Sequence, residues 1–135
     1  MADLHLSNFA DLIGIPFVDG SRDKKVGLDC LGLSQIAMSR CGITLPDFSY
    51  SCSQALLIDQ EIENERISGR WEKTEILEQG CIVIMALDPD YPDLIQHLGV
   101  YIGEGWILHT LSGRNSSLTK TTDRFFGKKI RGYYR

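Results

Sequence analysis

The sequence predicts an α+β domain: helices from its N-terminal half packed on an antiparallel sheet from its C-terminal half. Before Gly69, apolar residues recur at helical intervals between polar breakers. After Gly69 they gather in short runs of strand length, separated by Gly, Pro and Asp. Helices and strands are thus segregated along the chain, which favours an antiparallel sheet over a βαβ arrangement.

Each element follows from local signals. Asp3 to Ile13 carries Leu6, Phe9, Leu12 and Ile13 in a helical pattern that Gly14 and Pro16 end. A polar loop from Asp19 to Gly27 follows. A second helix runs from Asp29 to Cys41, with Leu33, Ile36, Ala37 and Cys41 on its apolar face and Gly42 in the C′ position. Leu45-Pro46-Asp47 breaks the chain. Ser53 to Arg66 then sets Ala55, Leu56, Ile58 and Ile62 among acids and amides as a third helix.

Cys81 to Leu87 is an apolar run that reads as a buried strand. Asp88-Pro-Asp-Tyr-Pro-Asp93 is an acidic loop without the glycine and closing glutamate of a calcium site. Ile95 to Ile102 and Trp106 to Leu111 are strands joined by the tight Gly103-Glu104-Gly105 connection. Gly113 to Ser117 is a turn, Leu118 to Lys120 a short strand, Thr122 to Phe126 a helical turn capped by Thr121 or Thr122, and Lys128 to Tyr134 the last strand.

The length of 135 residues, without repeat or linker, is that of one domain spanning 1–135. A net charge of −4 argues against a nucleic-acid binder, which would carry a basic face. No apolar run approaches the ~20 residues that cross a bilayer, so no membrane association is expected. The N-terminus lacks a basic segment followed by an apolar one, so synthesis in the cytoplasm without a signal peptide is expected. The four cysteines, Cys30, Cys41, Cys52 and Cys81, form no C-x-x-C pair. Free thiols are expected, with no structural zinc and no other cofactor. Cys41 and Cys81 belong to apolar faces, and Trp71 and Trp106 are read as packing residues.

Cys30 stands apart. It opens a helix, where unpaired backbone N–H groups and the helix dipole favour a thiolate and can hold a developing oxyanion. A nucleophilic thiol needs a base, and of the three histidines His5 sits near the terminus while His97 and His109 flank the Gly-Glu-Gly turn. A three-residue loop would set His109 opposite Gly99 and His97 opposite Leu111. The two imidazoles would then be diagonal neighbours on one face, about 7–8 Å apart at the backbone. A two-residue loop would put them on opposite faces. On the first geometry His97 serves as base and His109 orients it.

Three blocks carry a family likeness. "GLDCLGLSQIAMSRCGITLP", "LEQGCIVIM" and "HLGVYIGEGWILHT" occur in order, and together they resemble the NlpC-type cell-wall peptidases, a papain-like family. The resemblance covers roughly Phe9 to Thr110. It implies a papain-like fold and a cysteine peptidase or amidase acting on peptidoglycan stem peptides, with Cys30 as nucleophile, His97 as base and His109 as third polar residue. It also implies contact with the bound peptide near Asp29, Phe17 and Leu31. Asp29 serves equally as a helix cap. Phe17 stands where the family often has Tyr, Leu31 where it has Ser, and Cys81 where it has Asp. The wording "LIGIPFVDGSRD" before "GLDC" is similar to the bacteriophage tail-associated branch, implying a place in a virion tail, action on the periplasmic wall and tail proteins as partners. The alternatives are a tail-assembly component with little or no activity, and a thiol acyltransferase or deamidase.

Overall fold

A computed structural model describes residues 3–47 and 55–135; Cys52 and the predicted start of the third helix at Ser53 lie outside the described residues. The elements are a 3₁₀ helix over Leu6–Leu12, helices α1 (Cys30–Arg40) and α2 (Ala55–Ile67), and five strands. These are β1 (Ile82–Met85), β2 (His97–Gly103), β3 (Trp106–His109), β4 (Ser117–Lys120) and β5 (Ile130–Tyr134), with a 3₁₀ turn at Phe126–Lys128. The sheet is antiparallel, in the order β4-β3-β2-β1-β5. The α+β architecture read from the sequence is the one observed.

The first helix departs from expectation in kind. Leu6, Phe9 and Leu12 recur every third residue, the period of a 3₁₀ helix, so that tighter winding sets all three on one side. Ile13, counted with them in an α-helical pattern, lies outside the element and is exposed. The last helical turn also shifts, from Thr122–Phe126 to Phe126–Lys128. The side chain that prepares it is Asp123, which accepts from the backbone N–H groups of Phe125 and Phe126, both at 2.9 Å. An aspartate satisfies two successive amides more readily than a threonine hydroxyl.

Helix α1 is bounded as its sequence dictates. Asp29 takes extended backbone, and its carboxylate accepts from Gly32 N–H at 2.8 Å. At the other end Gly42 adopts a φ of +79°. Its N–H reaches Ser39 O at 3.0 Å and the Ile43 N–H reaches Met38 O at 2.9 Å, the paired bonds of a Schellman stop. Arg40 clamps Asp11 through both guanidinium nitrogens at 2.6 and 2.8 Å, fastening the 3₁₀ helix to α1. Arg40, then Lys24, hold the Asp11 carboxyl well below the usual carboxylate range.

Leu31, Leu33, Ala37 and Met38 of α1 share one core with Leu98, Val100 and Ile102 of β2, Leu108 of β3 and Ile58 and Ile62 of α2. Trp71 and Trp106 pack at its margin, and Cys81 is fully buried. Strand alternation leaves His97, Gly99 and Tyr101 for the opposite face. There Val83, Met85 and Ile107 form a smaller cluster flanked by Tyr101, Phe126, Ile130 and Tyr133.

The β2–β3 connection corrects the expected loop. Gly103 pairs with Trp106, so only Glu104 and Gly105 form the turn, and both have positive φ (+54° and +83°), as a type I′ turn requires. The parity is nevertheless that of the three-residue loop. A bulge between Tyr101 and Gly103 absorbs Ile102, and the strands pair below it as Tyr101 with Ile107 and Val100 with Leu108.

Two tethers fix the direction of α1. Its C-terminal end meets the start of β1: a side chain on Gly80 would collide with Ile43 and Cys41. Its N-terminal end is tied through the Phe17–Leu28 and Pro16–Asn115 bridges to the segment entering β4. Ser117 of β4 in turn pairs with His109. The N-terminus of α1 therefore lies at the sheet end where β2 begins and β3 finishes.

Candidate active site

That end of the sheet gathers the expected side chains. His109 ends β3 and His97 begins β2. Their rings meet in a hydrogen bond of 2.8 Å between His97 Nε2 and His109 Nδ1, with ring centroids 5.1 Å apart and planes tilted by 58°. The register explains the meeting. Continued past Val100–Leu108 it sets His109 beside Gly99 and makes His97 its diagonal neighbour. Gly99 is needed at the crossing point, since a Cβ there would lie 2.8 Å from Ile107 Cγ2 and 3.2 Å from His109 Cβ.

Each residue type at this site has a local cause. His97 and His109 are each only 3% exposed. Burial lowers the pKa of both, since desolvation disfavours an imidazolium, and the neighbouring His109 pushes His97 further down. Asp123 raises His109 in part and Arg114 lowers it. Both rings are thus neutral near pH 7. Each then has one donor and one acceptor nitrogen, and the hydrogen bond joins a donor to an acceptor. Nδ1 of His97 is the nitrogen this bond leaves over.

Cys30 is the first residue of α1 and half-buried. The Asp29 carboxylate beside it is committed to structure. Oδ1 accepts from Gly32 N–H and from Arg22 Nη1, both at 2.8 Å, while Oδ2 accepts from Gly20 N–H at 3.0 Å. These bonds hold the 19–22 loop against the helix start, and Arg22 carries the tie on to Asp47 at 2.7 Å. Phe17 is half-buried, and its backbone bridges to Leu28, two residues before the helix start. Leu31 points into the main core and is 4% exposed. The structure thus unites His97 with His109 and puts Cys30, Asp29 and Phe17 at the same end of the fold.

Two neighbours went unforeseen in the sequence. Thr119 Oγ1 lies 2.7 Å from His109 Nε2, extending the histidine pair onto β4. Phe126 meets His109 in a T-shaped contact, with centroids 4.8 Å apart. The register explains the first: Ile107 pairs with Thr119 and His109 with Ser117, so Thr119 is diagonal to His109. Among the described residues no group of three His, Cys, Asp or Glu side chains is placed to hold a metal ion.

Comparison with known proteins agrees with this fold. Among solved structures, an NlpC/P60 family protein from Bacillus cereus superposes with a TM-score of 0.65 at 18% identity, over 99% of this chain and 41% of that one. NlpC1 from Trichomonas vaginalis gives 0.60 at 24% identity, over 93% and 41%. The NlpC/p60 domain of the peptidoglycan hydrolase SagA gives 0.60 at 15% identity, over 96% and 94%. The chain therefore spans about two fifths of the length of the first two. No curated protein matches it. The family model described as NlpC/P60 matches residues 14–135, all three sequence blocks included, and the chain belongs to the NlpC/P60 family.

Proposed function

We propose that this protein is a cysteine hydrolase of the peptidoglycan endopeptidase or amidase type, cutting amide bonds in stem peptides through Cys30, His97 and His109. One observation carries the reading: a buried, hydrogen-bonded histidine pair stands at the sheet end to which the N-terminus of α1, with Cys30, is tied. Membership of NlpC/P60, a family of cysteine peptidases of peptidoglycan, supports the substrate class.

In this reading the Cys30 thiol gives its proton to His97 Nδ1 as sulfur attacks the amide carbonyl. N–H groups at the start of α1 hold the oxyanion. The tetrahedral intermediate collapses as His97 returns the proton to the leaving amine, breaking the C–N bond and leaving a thioester on Cys30. Water, deprotonated by His97, then attacks the thioester, releasing the carboxylic acid and restoring the thiol. His109 holds the His97 ring throughout. The "LIGIPFVDGSRD" segment supports a virion tail as the working location, with other tail proteins as partners.

The test is digestion of purified peptidoglycan and defined muropeptides, with mass spectrometry locating the new amine and carboxyl ends. Cys30→Ala is expected to abolish release, and undiminished release by that variant refutes the assignment. A second reading, a tail component with the fold but without hydrolysis, is favoured by Leu31, which fills the core where the family usually has Ser. It predicts no new ends with either protein. Thioester substrates test the acyltransferase alternative.

A further inference from the structure

We propose that Thr119 is a positioning residue of this site, its hydroxyl fixing the proton arrangement of the histidine pair from 2.7 Å beyond His109. The inference rests on the reading of Cys30 as nucleophile and His97 as base. Two arrangements fit the observed bonds, because each neutral ring has one N–H. In the first, His97 carries its proton on Nε2 and donates to His109 Nδ1, while His109 donates from Nε2 to Thr119 Oγ1. His97 Nδ1 then has a free lone pair. In the second, the Thr119 hydroxyl donates to His109 Nε2, His109 donates from Nδ1 to His97 Nε2, and the His97 proton sits on Nδ1. That second state has no base.

The reaction removes the ambiguity. Once His97 Nδ1 has taken the thiol proton, the ring carries N–H groups at both nitrogens. Its Nε2 can then only donate, so His109 Nδ1 must accept and the His109 proton must stand on Nε2. That N–H lies on a side chain 3% exposed and needs an acceptor, and Thr119 Oγ1 is the atom in reach. No proton is gained or lost along the chain: one moves from sulfur to His97, and the others stay in place. Thr119 is half-buried, and a hydroxyl can accept from His109 while keeping its own hydrogen.

The fold holds this chain symmetrically about His109. His97 on β2 and Thr119 on β4 are both its diagonal neighbours on one face. Phe126 packs against the His109 ring in a T-shaped contact. Thr119 touches no reacting atom and acts through His109.

Nitrogen-15 correlation spectra of the imidazoles, recorded on the full chain near neutral pH, read the tautomers directly. His97 and His109 are both expected to be protonated at Nε2. His97 protonated at Nδ1 in the unmodified protein would overturn the proposal. Thr119→Val is expected to mix the tautomers and lower kcat about tenfold to a hundredfold, the effect of leaving a buried donor unpaired, with KM unchanged. The pH profile of Cys30 alkylation should shift with it. Thr119→Ser should restore all of these, and wild-type tautomers, kcat and alkylation profile in Thr119→Val refute the role of the hydroxyl. Cys30→Ala separates the two levels. If muropeptide cleavage survives it, the reading of the site fails. If cleavage is lost there but Thr119→Val is unaffected, only the Thr119 proposal fails. Should Thr119→Val not fold, the wild-type tautomers and Thr119→Ser still decide.

Discussion

Nε2 of His97 lies 2.8 Å from Nδ1 of His109, and both side chains are sealed from solvent. Folding therefore holds two imidazoles neutral that the unfolded chain would protonate below about pH 6.5. The unfolded state binds more protons there, so stability falls as pH falls, from about 6.5 through the value of about 4 to which burial lowers His109. Where both groups differ fully in protonation, the slope approaches about 2.7 kcal/mol per pH unit, twice the 1.36 of a single proton. Urea midpoints between about pH 7 and pH 4.5 measure it. The His97→Gln/His109→Gln double variant should flatten this part of the profile; an equal slope in it would place the titration elsewhere.

Gly99→Ala should damage the site more than the fold. Its new Cβ would meet Ile107 Cγ2 at 2.8 Å and Leu108 O at 3.2 Å, and backbone cannot turn aside as a side chain can. A destabilisation of about 1–3 kcal/mol is expected from overpacking. Displacement of His109 should lower peptide cleavage beyond what the residual folded fraction accounts for. Denaturation and kcat measured on the same preparation separate the two effects.

Asp29→Ala removes a helix cap and the anchor of the 19–22 loop together. The cap contributes about 1–2 kcal/mol. Losing the Asp29–Arg22 ion pair adds up to about 1 kcal/mol. Asp29→Asn keeps an acceptor for Gly32 N–H and should lose about half as much. Gly32→Ala should also release the loop, since its Cβ would stand 2.5 Å from Ser21 O and 3.3 Å from Asp29 Oδ1. Limited proteolysis between Asp19 and Gly27 reports that release.

Within the histidine pair the losses should be unequal. His97→Ala removes the base and is expected to cut kcat by about 10²–10⁴. His109→Asn retains a polar group to orient His97 and should cost about tenfold, while His109→Leu should approach the His97→Ala value. Equal effects of His109→Asn and His109→Leu on muropeptide cleavage would mean that His109 contributes packing alone.

Much of this was legible in the sequence because the signals were local. Asp29, Gly42 and the spacing of Leu33 and Ala37 bound α1 to within a residue of its observed limits. The histidine pair was legible through Gly103-Glu-Gly105, although the turn proved one residue shorter, with Ile102 supplying the missing step as a bulge. The N-terminal helix is ambiguous in kind because a three-residue and a 3.6-residue period differ little over two turns. The place of Thr119 is not legible because β3 and β4 are joined by seven residues, a length that sets no unique register. The anchoring of the 19–22 loop is not legible for a related reason: the pairing of Arg22 with Asp29 and Asp47 is made in space and leaves no spacing to read.

The bulge at Ile102 makes chain length itself a determinant of the chemistry. Removing one residue between Tyr101 and Trp106 would leave every candidate catalytic side chain in the sequence, yet slide β3 by one step and carry His109 to the face that packs under α1. The hairpin tip should tolerate exchanges of side chain at Glu104 while rejecting single-residue deletions. Among relatives, the count of residues from the first histidine to the second should be kept odd or even more strictly than the identities of the residues between them.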